Sequence, residues 1–148
     1  HKVVVTGRIK HFISAFGEHV IGEEVENALK KTLPHHPEVK VTEFTVAPFV
    51  SSGAEPSFHE WLIEFATLPA DIQAFEADLN RYLCGLNSYY EDLQMGNILA
   101  PLRVKPLPAG AFREYMKQAG KLGGQNKVPR LSNTRDLADG ILRMQLLA

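Results

Sequence analysis

The sequence contains a single cysteine, Cys84, among its 148 residues. One thiol cannot form an internal disulfide, so we expect a domain adapted to a reducing, cytoplasmic environment. No apolar run reaches the roughly 18 residues that a membrane-spanning helix needs. The first residues form a strand-like run and lack the basic tip and apolar core of a signal peptide. The length is that of one domain.

Sequence patterns for common catalytic centres are also missing. Cys84 lies beside Leu83 in a helical stretch, which is typical of a core or half-exposed thiol and not of a nucleophile. His35 and His36 lie in a Pro-bounded turn, without further ligands at the spacing of a metal site. His11, His19 and His59 are scattered singly along the chain. No Gly-x-Ser-x-Gly motif is present, and no triad order is evident.

The net charge is only −1, but the charges are unevenly distributed. Residues 1–100 hold 7 Lys/Arg and 14 Asp/Glu, whereas residues 101–148 hold 9 Lys/Arg and 3 Asp/Glu. Between Arg103 and Arg135, eight cations stand against Glu114 alone. Such a basic region favours an anionic partner, or it is a solvated face without a partner. It lacks clustered aromatics for base stacking, which argues against nucleic acid.

Residues 120–130, which we call the Gly-rich loop, read Gly-Lys-Leu-Gly-Gly-Gln-Asn-Lys-Val-Pro-Arg. Gly123 and Gly124 permit tight backbone conformations, and Lys121 and Lys127 supply mobile positive charge. The other candidate anion contacts of the loop are Gln125, Asn126 and Arg130. The loop fails both the Walker pattern and Gly-x-Gly-x-x-Gly, so it is no complete nucleotide site. It is either a plain connector or a loop that serves the site of another domain.

Hydrophobic periodicity predicts a small α/β domain of the two-layer α+β type. Predicted strands lie at residues 2–6, 12–16, 39–50, 58–66 and 98–104. Predicted helices lie at residues 21–33, 69–86 and 108–119, with a short helical piece at 89–96 and a last helix capped by Ser132 or Asn133. We expect a two-stranded ribbon in residues 1–20. The body, residues 21–148, should hold a mostly antiparallel sheet of about three strands with helices packed on it.

Residues 6–26 carry a pattern at fixed spacing. Its positions are Gly7-Arg8, Lys10, Gly17 and Glu24-Val25-Glu26, with Glu18 following Gly17 in the ribbon. The pattern resembles the hinge-and-ribbon segment that opens the mobile C-terminal domain of the luciferase-like adenylating superfamily. That superfamily includes acyl-CoA synthetases and the adenylation domains of peptide synthetases.

The amino-acid sequences of three segments resemble those of a narrower family. These are Thr-Gly-Arg-Ile-Lys-His-Phe-Ile-Ser-Ala-Phe-Gly-Glu at 6–18, Thr-Val-Ala-Pro at 45–48, and Gly-Lys-Leu-Gly-Gly-Gln-Asn-Lys-Val-Pro-Arg-Leu-Ser-Asn at 120–133. They look like the auxin-responsive-promoter family of acyl-acid amido synthetases, and like its bacterial members more than its plant members. The resemblance implies an ATP- and Mg²⁺-dependent ligase that forms an acyl-adenylate and then an amide with an amino acid.

The resemblance also implies roles for individual residues. The domain rotates between the two half-reactions and brings a lysine to the carboxylate and α-phosphate, where it stabilises the transition state. Lys127 matches that position best, and Lys121 is the second candidate. Lys10 matches the hinge, with Gly7 and Arg8 beside it.

The large N-terminal adenylating domain of the family is absent from these residues. The chain therefore resembles an excised C-terminal domain, whose partner is that adenylating domain and whose substrates are a small carboxylic acid and an amino acid. We expect it to bind no cofactor and to catalyse no adenylation alone. Two alternatives stay open: a small α/β module that binds nucleic acid or another anion, and the C-terminal domain of a CoA ligase.

Overall fold

The computed structural model describes residues 12–118 and 128–147. Its strands are β1 (Phe12–Ile13), β2 (Val20–Ile21), β3 (Lys40–Phe49), β4 (Phe58–Thr67) and β5 (Arg103–Leu107). Its helices are α1 (Gly22–Thr32), α2 (Ile72–Leu86), α3 (Ser88–Met95), α4 (Ala111–Gln118) and α5 (Asp136–Leu147), and a 3-10 turn, Leu33–His35, follows α1. Across the described ranges, no helix is both long and apolar enough to cross a membrane. The predicted mixed α/β fold is confirmed.

The central sheet has three strands in the order β3-β4-β5. β3 and β4 form the antiparallel hairpin that the alternating runs predict. β5 pairs with β4 in parallel, because α2 and α3 carry the chain back to the end where β4 begins. The predicted third strand at 98–104 is displaced, since the continuous strand begins at Arg103, after an isolated parallel bridge between Leu99 and Ser57. Pro101, which has no N–H to donate to a ladder, lies before the strand.

The ribbon differs from its prediction in its pairing. Phe12–Ile13 pairs with Val20–Ile21 and not with residues 2–6, which lie outside the described residues. The chain reverses between the two strands because Gly17 has a φ of +94° and its N–H donates to the Ser14 carbonyl at 3.0 Å. Glycine adopts this conformation without a β-carbon clash. The predicted helix start at residue 21 is therefore wrong by one residue, which belongs to β2.

The two faces of the sheet bury separate cores. Trp61 and Ile63 of β4 belong to the core shared with α1 and α2. Leu62, between them, belongs to the second core, shared with α4 and α5. Successive strand residues point to opposite faces, so one strand supplies both cores. The two helices of the second core flank the Gly-rich loop in the sequence.

Both edges of the sheet are closed to further strands. On β5, the Val104 N–H donates to the Glu76 carboxylate at 2.6 Å, and Pro106, two residues along, has no N–H. Just before β5, the Leu102 N–H donates to Asn80 Oδ1 at 3.2 Å. On β3, Pro48 likewise has no N–H to donate. The backbone groups of Val46 are bonded to those of Arg130 and Ser132. Unpaired edge groups invite strand addition, and this domain leaves few of them.

Other helix starts also differ from their predictions: α3 begins at Ser88 and not at residue 89, and α4 begins at Ala111 and not at residue 108. α2 begins at Ile72 and not at residue 69, because Asp71 is its N-cap and accepts the N–H groups of Gln73 and Ala74 at 3.1 Å each. α5 begins at Asp136, so the predicted caps Ser132 and Asn133 are wrong. Both of these residues bond elsewhere. The Ser132 N–H donates to the Val46 carbonyl, and Asn133 Oδ1 accepts the Ser14 N–H.

Candidate functional site

Residues 128–133, which we call the loop exit, carry the chain out of the Gly-rich loop and onto the edge of β3. The Val46 N–H donates to the Arg130 carbonyl at 2.9 Å, and the Ser132 N–H donates to the Val46 carbonyl at 2.9 Å. Thr45 Oγ1 donates to the Pro129 carbonyl at 2.7 Å. Leu131 is fully buried in the core that the sheet shares with α1 and α2. The loop exit is thus fixed to the sheet as a short parallel edge segment.

Arg130 is a second anchor of the loop exit. Its Nε donates to Glu26 Oε2 at 2.9 Å, and its Nη1 contacts Glu43 Oε1. The guanidinium also lies 4.7 Å from the centroid of the Phe44 ring. Two carboxylates and an aromatic face therefore hold this side chain within the domain. Its predicted contact with an anion stays a prediction.

The turn of the ribbon, residues 14–19, inserts a charged side chain into the domain. The side chains of Glu18 and His59 are both fully buried, and Glu18 Oε2 contacts His59 Nε2. Glu18 Oε1 accepts the Phe16 N–H at 2.9 Å. Burial raises the pKa of Glu18, but the hydrogen bond and charge of His59 outweigh it, so the pKa lies below its usual value. The ring of Tyr90 lies 5.1 Å from that of His59.

The ribbon is joined to the loop exit as well as to the helices. The Ser14 N–H donates to Asn133 Oδ1 at 3.0 Å, which connects β1 directly to the end of the loop exit. Asn87 Nδ2 donates to the His19 carbonyl and to Glu24 Oε1, both at 3.0 Å. Glu24 Oε1 also accepts the Ile21 N–H at 3.0 Å. Ribbon, α1 and loop exit therefore form one connected platform.

The helices that flank the Gly-rich loop are fixed too. Glu64 of β4 accepts the N–H groups of Gly110 and Phe112, at 2.8 and 3.2 Å, and so holds the start of α4. α5 approaches α4 closely because Gly140 has no β-carbon. A Cβ there would lie 2.8 Å from Cε1 of Tyr115. The loop therefore begins and ends on elements that are packed against the same sheet.

The predicted site residues divide into two groups. Gly17, Glu18 and Arg130 lie within the described residues, and the structure brings them onto the platform of ribbon, α1 and loop exit. The remaining predicted hinge and loop residues lie outside the described residues: Gly7, Arg8, Lys10, Lys121, Gly123, Gly124, Gln125, Asn126 and Lys127. Sequence reasoning did not name His59 or Thr45 as site residues: His59 is one of the scattered histidines, and Thr45 appears only as part of the Thr-Val-Ala-Pro segment.

Other reactive side chains form no site in the described parts of the chain. Burial, with a smaller contribution from Glu91, raises the pKa of Cys84 to about 11, so the thiol stays protonated at neutral pH. His36 contacts Asp78 at 2.8 Å, and Asp78 also pairs with Arg81 at 3.1 Å. Among the described residues, no three His, Cys, Asp or Glu side chains are placed to hold a metal ion.

Comparisons with known proteins indicate the family and the fold of the chain. Residues 23–136 match the family model described as the GH3 family C-terminal domain. The solved structure of a GH3.15 acyl acid amido synthetase has a similar fold, with a TM-score of 0.70 and 20% identity over 91% of this chain and 26% of that one. An AtGH3.15 acyl acid amido synthetase in complex with 2,4-DB gives 0.70 and 17%, over 90% and 25%. The chain thus spans about a quarter of these structures. No curated protein sequence matches it.

Proposed function

This chain belongs to the GH3 family as a C-terminal domain, and on that premise we propose that it is the mobile domain of an ATP-dependent acyl acid amido synthetase. The enzyme joins a carboxylic acid to ATP as an acyl-adenylate and releases pyrophosphate. The amine of an amino acid then attacks the acyl carbon, giving an amide and AMP. The names of the two structural neighbours support this reaction. A cytoplasmic location is part of the proposal.

The proposal rests on one observation: the parts of the chain that come directly before and after the Gly-rich loop are both bonded to the sheet. Glu64 holds the start of α4 before the loop, and Val46 and Thr45 hold the loop exit after it. Lys127 immediately precedes the loop exit in the sequence. A charge carried on a fixed base stabilises a transition state at little reorganisation cost. In this proposal Lys127 stabilises the negative charge that develops on the α-phosphate, and Lys121 is the second candidate.

The same proposal gives the ribbon a mechanical role. Lys10, with Gly7 and Arg8, is the hinge at which a few backbone dihedrals absorb the domain rotation. The bonds of Ser14 to Asn133 and of Asn87 to His19 support movement of the ribbon and the loop exit as one unit. The rotation then carries the loop toward the adenylating domain for the first half-reaction and away from it for the second.

The reaction also needs ATP and Mg²⁺. No described group of side chains fits a metal ion, so we assign no Mg²⁺ ligand and no step through it to this part of the chain. Binding of ATP, of Mg²⁺ and of both substrates belongs in the proposal to the N-terminal adenylating domain. This domain alone is then inactive. A purified 148-residue chain that catalyses ATP–pyrophosphate exchange would contradict that part of the proposal.

Lys127→Ala in the full-length enzyme tests the assigned role. We expect ATP–pyrophosphate exchange to fall about 100-fold or more, because one charged group is removed from the transition state. Amide formation from supplied acyl-adenylate should change much less. Lys121→Ala is the matched control, because it removes the same charge from the same loop. Equal losses in both half-reactions, or a larger effect at Lys121, would show that Lys127 lacks this role.

Measuring both half-reactions in the full-length enzyme also distinguishes an amido synthetase from a CoA ligase and from an anion-binding module. A CoA ligase would consume the supplied acyl-adenylate with CoA and not with an amino acid. An anion-binding module would show neither half-reaction in the full-length protein. The ion pairs of Arg130 and Arg135 with Glu26, Glu43, Glu60 and Asp139 reduce the free positive charge of the basic region and favour the enzyme.

A further inference from the structure

The contact between Glu18 and His59 joins two parts of the domain that are far apart in sequence. Glu18 lies in the turn of the ribbon, whereas His59 is the second residue of β4. Both side chains are fully buried. His59 Nδ1 has no hydrogen-bond partner in the described part of the chain, so Glu18 is the polar partner that the structure shows for this ring. The contact is therefore a direct polar connection between the ribbon turn and the sheet.

The ribbon needs such a connection because it is small. Each of its strands has two paired residues, and a two-stranded ribbon alone is marginal in water. Ile13 and Val20 bury their side chains, but apolar contacts do not define one register as strictly as a paired charge does. Burying a charged carboxylate contributes little net stability, because its desolvation offsets its attraction to a partner. The distinctive effect of the contact is to favour one placement of the turn over shifted ones.

We propose that Glu18 and His59 are positioning residues that fix the ribbon turn on β4 and so transmit a movement of the ribbon to the sheet that carries the loop exit. This inference rests on the proposed rotation of the domain. The path is short: His59 is paired with Pro48 of β3, and Val46, two residues along β3, holds Arg130 of the loop exit. Neither residue touches the reacting atoms, and both act through the placement of the Gly-rich loop.

Amide hydrogen exchange in the full-length protein tests the positioning role. Glu18→Gln removes the charge and keeps the shape of the side chain. We expect the Phe16 and Gly17 amides to exchange about tenfold faster, since local opening of the ribbon becomes easier. The core amide of Leu62 should be unchanged. Asp78→Asn is the matched control, because it removes the carboxylate of an acid–histidine contact that lies away from the ribbon.

A double-mutant cycle tests whether the two residues act together. His59→Gln should accelerate the same two amides, and Glu18→Gln/His59→Gln should add little to either single change, as coupled residues do. Unchanged exchange at Phe16 and Gly17 would overturn the proposal, and so would equal acceleration at Leu62. If Glu18→Gln does not fold, His59→Gln is judged by the same criteria. Failure of both variants to fold would show a core role and also overturn it.

Measuring the rates of the two half-reactions separately distinguishes a positioning role from a purely structural one. We expect Glu18→Gln to slow adenylation about tenfold with an unchanged KM for ATP, because the loop is less well placed. Consumption of supplied acyl-adenylate should change less. Absence of adenylation in the unmodified enzyme would sink the proposed function and leave the exchange experiment to decide the positioning role. Normal adenylation with unchanged exchange in Glu18→Gln would sink the positioning role alone.

Discussion

Val46 and Arg130 are bonded through their backbones, the Val46 N–H donating to the Arg130 carbonyl at 2.9 Å. This bond places the end of the Gly-rich loop on the edge of β3. It also closes that edge, so one contact both protects the sheet and positions the loop exit. Disturbing the contacts around Val46 should therefore affect stability and adenylation together.

Thr45→Val should weaken this attachment without changing the shape of the side chain greatly. Thr45 is 1% exposed, and its hydroxyl donates to the Pro129 carbonyl. Losing that bond should cost about 1 kcal/mol of stability. The measurement is chemical denaturation followed by the fluorescence of buried Trp61, the one tryptophan of the chain. Thr42→Val, at an exposed position of the same strand, is the control, and an equal loss there would contradict the assignment.

Arg130→Lys should show that the geometry of the guanidinium matters as well as its charge. A lysine cannot bond Glu26 and Glu43 through one planar fork or stack on Phe44 in the same way. Because the site is partly exposed, we expect a loss of only about 1 kcal/mol. Arg113→Lys, on the exposed face of α4, should be neutral. Thermal unfolding measures both.

Arg130→Lys also tests the predicted anion contact. If Arg130 only anchors the loop exit, the KM for ATP in the full-length enzyme should stay constant while the adenylation rate falls. A raised KM with an unchanged rate would instead show that Arg130 binds the nucleotide.

Acid should loosen the ribbon through Glu18. Its pKa is lowered in the fold, so its contribution to stability is complete above the unfolded value, about 4.3, and is lost as pH falls through the folded value. The neighbouring titratable groups are His59 of β4 and Tyr90 of α3. Burial, with Cys84 and Glu18 nearby, raises the pKa of Tyr90, so the phenol stays neutral in this range.

The expected result is a steeper fall in stability between about pH 5 and about pH 3 for the unmodified chain than for Glu18→Gln, in which this carboxyl group is missing. Denaturation midpoints measured across that range give both slopes. Parallel slopes would mean that Glu18 has an unperturbed pKa in the folded chain.

Pro106→Val should reopen the edge of β5. Val104 donates its N–H to Glu76, and residue 106 faces the same side of the strand. A valine there adds an unpaired N–H and a strong strand former, so we expect concentration-dependent self-association in sedimentation velocity. Pro101→Val, before the strand, is the control and should leave the chain at its original sedimentation coefficient. Association of both variants would show that loss of proline alone is responsible.

Local patterns predicted those elements whose own residues decide them. The alternating runs at 39–50 and 58–66 became β3 and β4, because each strand carries its core residues at period two. The third strand and the ribbon were displaced. Pro101 separates the isolated Leu99–Ser57 bridge from the continuous strand that begins at Arg103, and Gly17 reverses the chain so that Val20–Ile21 completes the ribbon. The boundaries of these strands depend on which segment pairs with them, and the residues around each boundary do not identify that segment.

By itself, the sequence determined the α/β class, the hairpin, and the family through motifs at fixed spacing. It also drew attention to Glu18 and Arg130. Only the tertiary structure decided what these two residues do within the domain, by placing Glu18 on His59 and Arg130 between Glu26 and Glu43. The physical reason is that helix and strand signals arise between residues a few positions apart. A buried charge finds its partner only when distant strands and helices pack together.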